Sequence, residues 1–151
     1  MCLILQQTLE RSQDTQCKLQ EQKMIKLENF DNPFGAIRAF ETELCHFTGA
    51  KYCVTTDCCT HAMEIALRLN PPSGKIVFPS RTYLSVPMLM HKLGLDYELQ
   101  DVDWREQGKY QFLGTNIWDC ARYFKEKMFE PGTVQCLSFG LSKPLEIGQG
   151  G

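Results

Sequence analysis

The chain has 151 residues, a formal net charge of −2, and ordinary hydrophobic (43%) and charged (23%) fractions, which fit one globular domain with a buried core. That charge gives no reason to expect nucleic acid or an anionic membrane surface as partner, and no apolar run reaches the length of a membrane span. The apolar opening MCLIL lacks a basic start and soon turns polar, which argues against a secretory signal.

Residues 1–23 are polar and Gln-rich, and read as a solvated or disordered extension. The composition becomes domain-like at Met24, so the folded unit is expected to span 24–151. Asn32 followed by Pro33 is a helix-start signal, and Phe34, Ile37, Phe40, Leu44 and Phe47 follow at helical spacing up to a stop at Gly49. KYCVTT predicts a strand and residues 57–60 a turn. HAMEIALRL predicts a helix with Ala62, Ile65, Ala66 and Leu69 on one face. KIVF is a buried strand, residues 83–93 a helix stopped by Gly94, and DYELQDVD a third strand. GTNIWDC predicts a fourth strand ending at Asp119, and QCLSF a fifth carrying Ser138 near its end. Strands alternating with helices imply an α/β domain with a mostly parallel sheet, on which ligands bind beyond the carboxyl ends of the strands. Thr60, Asp119 and Ser138 all fall at or just after predicted strand ends, which points to one shared site.

The eight cysteines form no CxxC pair, and several lie in apolar runs. Buried free thiols in a reducing, cytoplasmic setting account for them. The sharper alternative is zinc held by Cys53, Cys58, Cys59 and His61. Adjacent cysteines do not easily point at one ion and no second knuckle follows, so no metal is expected.

Five segments, taken in order, carry a family resemblance: FETELCHFTGAKYCVTTDCCTHAMEIAL, KIVFPSRTYLSV, LGLDYELQDVD, NIWDCARYF and CLSFGLSKPLEIGQGG. Together the chain resembles the DegT/DnrJ/StrS family of sugar aminotransferases, which bind pyridoxal 5'-phosphate on a fold-type-I scaffold. The resemblance implies a reduced large domain of that fold. It also implies an amino acid as amino donor, a keto-sugar nucleotide as acceptor, and a homodimer with a shared active site. Thr60, with the backbone N–H groups around Thr60 and His61, would hold the phosphate at a helix N-terminus. Tyr83 would stack on the pyridine ring, Asp119 would face the ring nitrogen, and Arg122 would lie by the cofactor. Ser138 would contact the phosphate, and Lys143 would form the Schiff base and carry the proton. Related dehydratases of this fold have histidine at the lysine position, so Lys143 points to transamination.

The chain departs from the family pattern in several places. Cys58 and Cys59 stand for serine and glycine in the phosphate turn, and Trp118 replaces the first of two acids. WREQGKYQFLGT is shorter than the family's strand–helix passage, and the small C-terminal substrate domain of the family is expected to be missing. Three accounts stay open: a compact relative, a fragment completed by another polypeptide, or a decayed copy. The alternative function is a non-catalytic relative acting in binding or assembly.

Overall fold

A computed structural model of the chain describes residue 32 and residues 34–151. The polar segment 1–23 and the start at Met24 lie outside the described residues. By its internal contacts the chain divides after Ala39. Of the first unit, the described residues carry the start of helix α1 (Gly35–Thr48). The Asn32 side-chain oxygen accepts the Phe34 N–H at 2.9 Å, as the Asn–Pro signal predicts for a helix start.

The second unit, Phe40–Gly151, holds the rest of α1 and seven further elements in chain order. These are α2 (Cys59–Leu69), β1 (Ile76–Pro79), α3 (Ser85–Leu93), β2 (Tyr97–Gln100), β3 (Tyr110–Gln111), β4 (Ile117–Asp119) and β5 (Val134–Cys136). Helix stops fall where glycine frees the chain to turn left-handed: Gly49 has φ +80 and Gly94 φ +65. The Gly94 N–H also returns to the His91 carbonyl at 3.1 Å, closing the last turn of α3.

The mostly parallel sheet expected from the alternation of elements is not what forms. Two small sheets occur: β1–β2, parallel, and β3–β4–β5, in which β3 runs antiparallel to β4 and only β4–β5 is parallel. The physical reason is the short 103–116 passage. It folds back as β3 and a tight turn into β4, too short for the helical crossover a parallel partner needs. A paired set of backbone hydrogen bonds between Val77 and Leu113, 2.9 and 3.1 Å, links β1 to the chain just after β3.

Other expectations need correction. KYCVTT forms no strand: Thr56 alone of these residues exchanges backbone hydrogen bonds with Gly151, while Tyr52 and Val54 are exposed. The third and fifth strands are shorter than predicted. The fifth ends at Cys136, leaving Ser138 beyond it. Tyr83 precedes α3 and lies outside it. The buried face of α2 is Cys59, Met63, Ala66 and Leu67, whereas Ile65 and Leu69 of the predicted stripe face solvent. In α1 only Leu44 and Thr48 are buried, and Phe34, Ile37 and Phe47 are exposed.

The core lies between the helices and the strands. Ile76, Phe78, Phe112, Ile117 and Met90 are fully buried, and α2 packs against α3, β4 and β5. Phe78 stacks on Tyr97 at 5.4 Å between centroids and meets Phe112 at 5.7 Å, which ties β1 to the second sheet. This packing sets the N-terminus of α2 near the end of β4.

Candidate active site

Asp119 is the last residue of β4 and is only 3% exposed. Its register partners are Tyr110 in β3 and Cys136 in β5, so both sheet edges bear on the carboxylate. Tyr110 donates its hydroxyl to Asp119 Oδ2 at 2.6 Å, and the Ala121 N–H donates to Oδ1 at 2.9 Å. The Tyr110 oxygen also bonds the Thr82 hydroxyl, and its ring meets Trp104 edge-on at 4.9 Å. Burial raises the Asp119 pKa above the ordinary carboxylate value, while the Tyr110 and Ala121 donors and the charge of Lys143 pull it back down. Burial and the neighbouring Asp119 charge push the Tyr110 phenol up, so it stays a hydrogen-bond donor at neutral pH.

Helix α2 begins at Cys59, with Cys58 as an extended N-cap whose side chain makes no capping bond. Cys59 therefore sits in ordinary helical backbone, where a left-handed glycine is not required. Its side chain turns into the core. The Cys58 carbonyl accepts the N–H groups of His61 at 3.1 Å and Ala62 at 3.2 Å. The Cys59 and Thr60 N–H groups precede any intrahelical carbonyl they could reach, so an anion at this turn would draw on those two rather than on His61. The Thr60 hydroxyl bonds the Ser85 hydroxyl at 2.8 Å, joining this turn to the start of α3. Gly151 lies against the same turn, so close that a Cβ there would come within 2.2 Å of the Cys59 nitrogen.

Lys143 sits on a loop whose base is closed by Phe139. The Phe139 N–H donates to Gly150 at 3.0 Å, and its carbonyl accepts from Ile147 at 3.0 Å. The Phe139 ring is buried against Phe40, which anchors the loop to α1. Lys143 is half-buried, and its charge acts favourably on Asp119 and on the Cys59 thiol without forming an ion pair with the carboxylate.

Of the residues predicted from sequence, Asp119 is buried at the end of β4, and the Lys143 charge and the Cys59 thiol at the α2 turn both act on it electrostatically. Tyr83 is 77% exposed and Arg122 is exposed. The Ser138 hydroxyl has no hydrogen-bond partner among the described residues. Sequence reasoning missed Tyr110, although the alternation in KYQFLG, Tyr110 and Phe112 inward, is a strand signal.

The six described cysteines are free. Burial raises the thiol pKa of Cys59 and Cys136, and pushes Cys120 up to about 12 and Cys53 up to about 11. The thiols around Asp119 therefore remain protonated at neutral pH and offer no nucleophile. The four zinc candidates do not converge: Cys58 and His61 gather with Asp57, while Cys59 turns into the core.

These groups define a mixed α/β domain with a buried strand-end carboxylate, a helix that starts at Cys59 and a lysine loop whose charge acts on both. The sequence model of the DegT/DnrJ/EryC1/StrS aminotransferase family matches residues 13–107, well over half the chain, and the chain belongs to that family. The family is in general pyridoxal-phosphate dependent. The matched span includes Thr60, His61 and Tyr83 and ends before Asp119, Arg122, Ser138 and Lys143. No curated protein and no solved structure matches. Among the described residues no helix is long and apolar enough to cross a membrane.

Proposed function

We propose that this chain is a pyridoxal 5'-phosphate-dependent aminotransferase, built on a reduced fold-type-I large domain, that moves an amino group from an amino acid to a keto-sugar nucleotide. The observation that carries this reading is the buried Asp119 at the end of β4, held by Tyr110 and Ala121, with the Lys143 charge acting on it. The donor set fits the cofactor, because burial disfavours the Asp119 charge and a protonated ring nitrogen would restore it. When bound, the ring supplies an electron sink for the substrate carbon. Asp119 would hold the ring nitrogen proton, while Tyr110 and Ala121 keep both carboxylate oxygens oriented. The Cys59 and Thr60 N–H groups and the Thr60 hydroxyl would hold the phosphate. The Lys143 amine would anchor the cofactor covalently and move the substrate proton.

Tyr83, exposed before α3, is free to meet the ring face. Ser138, whose hydroxyl has no partner among the described residues, would contact the phosphate. We assign Arg122 to the cofactor's surroundings, and the active form to a cytoplasmic homodimer sharing its sites. A second reading, binding or assembly without turnover, is favoured by the Cys59 side chain at the glycine position and by Trp118 in place of an acid.

The test is the visible spectrum of the purified chain mixed with pyridoxal 5'-phosphate, beside Lys143→Ala. A visible band in wild type that is lost in the variant supports the cofactor and its lysine. No band in folded protein overturns the reading. A band without turnover on any amino donor supports the second one.

A further inference from the structure

Asp57, Cys58 and His61 form a compact donor set on the outer side of the α2 N-terminus. Their ligand atoms, a carboxylate oxygen, the thiol sulfur and an imidazole nitrogen, all lie within 4.8 Å of one another. Asp57 Oδ1 and His61 Nδ1 are already in contact, and both side chains are more than half exposed. None of the three is needed by the buried Asp119–Tyr110 cluster.

We propose that this turn is a zinc-class metal site, with Asp57, Cys58 and His61 as protein ligands and a fourth position open to solvent. Zinc and cobalt accept this mixture of oxygen, sulfur and nitrogen donors, and three protein ligands plus water is a common arrangement for them. Bonds of about 2.0–2.3 Å in a tetrahedron put ligand atoms roughly 3.3–3.8 Å apart. The widest separation must therefore close by about an ångström while the Asp57–His61 hydrogen bond, at 2.5 Å, opens by a similar amount as the ion replaces its proton, both by turns of side chains that are exposed or partly exposed. The spacing supplies the rest: Cys58 caps α2 and His61 lies one turn on, so a single rigid helix start holds both. A cleft of about 400 Å³ bordered by Asp57 and His61, with Glu64, Ile65 and Arg68, lets water or a small anion reach the ion. The set differs from the four residues grouped by sequence: Cys53 is outside it, Cys59 faces inward, and Asp57 joins Cys58 and His61.

The site is independent of the pyridoxal-phosphate reading, since the metal would use three side chains to which that reading gives no role. The experiment is a cobalt(II) titration of the full reduced chain, followed by zinc competition. We expect one ion per chain with a near-ultraviolet thiolate-to-cobalt band, displaced by zinc. Cys58→Ser should remove the band, and its fold is checked by circular dichroism. Serine suits an N-cap, so the helix start should survive. His61→Ala should weaken cobalt binding at least tenfold, while Cys53→Ser should leave the band intact. The proposal is overturned by a folded wild type with no band, by a band that persists in Cys58→Ser, or by unchanged affinity in His61→Ala. None of these outcomes depends on Lys143, so failure here is distinct from failure of the cofactor reading.

Discussion

Replacing Tyr110 by phenylalanine keeps the ring against Trp104 and Phe112 but removes the hydroxyl that donates to Asp119 at 2.6 Å. The carboxylate is 3% exposed, so water does not readily take the lost donor's place. A hydrogen bond to a buried charge contributes about 1.5–3 kcal/mol, and one to a neutral carboxyl about 0.5–1.5 kcal/mol. Because burial raises the folded pKa of Asp119 above its unfolded value, the folded chain holds that proton to higher pH than the unfolded chain does. Its contribution to stability therefore declines as pH rises through that interval. Tyr110 lowers the folded pKa and limits the decline. In Tyr110→Phe the folded pKa rises further, so the variant loses more at neutral and alkaline pH than in acid, where the carboxyl is protonated in both folded proteins. For a chain of this size each kcal/mol moves Tm by about 2–4 °C, so the ionised-state loss is roughly 3–12 °C. Urea unfolding of both proteins over about pH 5–9 measures the difference directly. A loss that is flat with pH, or greatest in acid, would refute the account of Asp119 as a buried carboxylate held by Tyr110.

Cys58→Ser should stabilise the chain by about 0.5–1 kcal/mol, because Cys58 is an N-cap with no side-chain cap bond and serine supplies one. A thermal melt without added metal reads this, and a lower Tm would contradict the N-cap assignment. Gly108→Ala should cost at least about 2 kcal/mol: Gly108 has φ +71, and a Cβ there would meet the Arg122 carbonyl oxygen at 2.5 Å. Chemical denaturation measures that cost, and a neutral effect would mean that the 105–108 turn is not held against Arg122.

Several features were legible because the signal was local. Gly49 and Gly94 end helices because the backbone there turns left-handed, and a single residue type reports that need. The Asn32 bond to Phe34, the strand at KIVF and the end of β4 at Asp119 also follow from a few adjacent residues. Lys143 was visible as a lysine in a glycine-rich turn, but that its charge falls on Asp119 was not.

What the amino-acid order determined by itself was the kind and approximate position of most elements, because turn chemistry and periodicity act over a few residues. Tertiary structure alone decided strand direction, the buried face of α2, and the partners of Asp119. The stripe at Ala62, Ile65, Ala66 and Leu69 and the stripe at Cys59, Met63, Ala66 and Leu67 both have helical spacing, and only the sheet beneath chose between them. KYCVTT has the composition of a strand, yet a strand exists only where another backbone answers its hydrogen bonds, and here Gly151 answers Thr56 alone. Tyr110 reaches Asp119 because the short return after Asp103 makes β3 antiparallel to β4. Register between distant segments is a property of the folded chain, which no local pattern encodes.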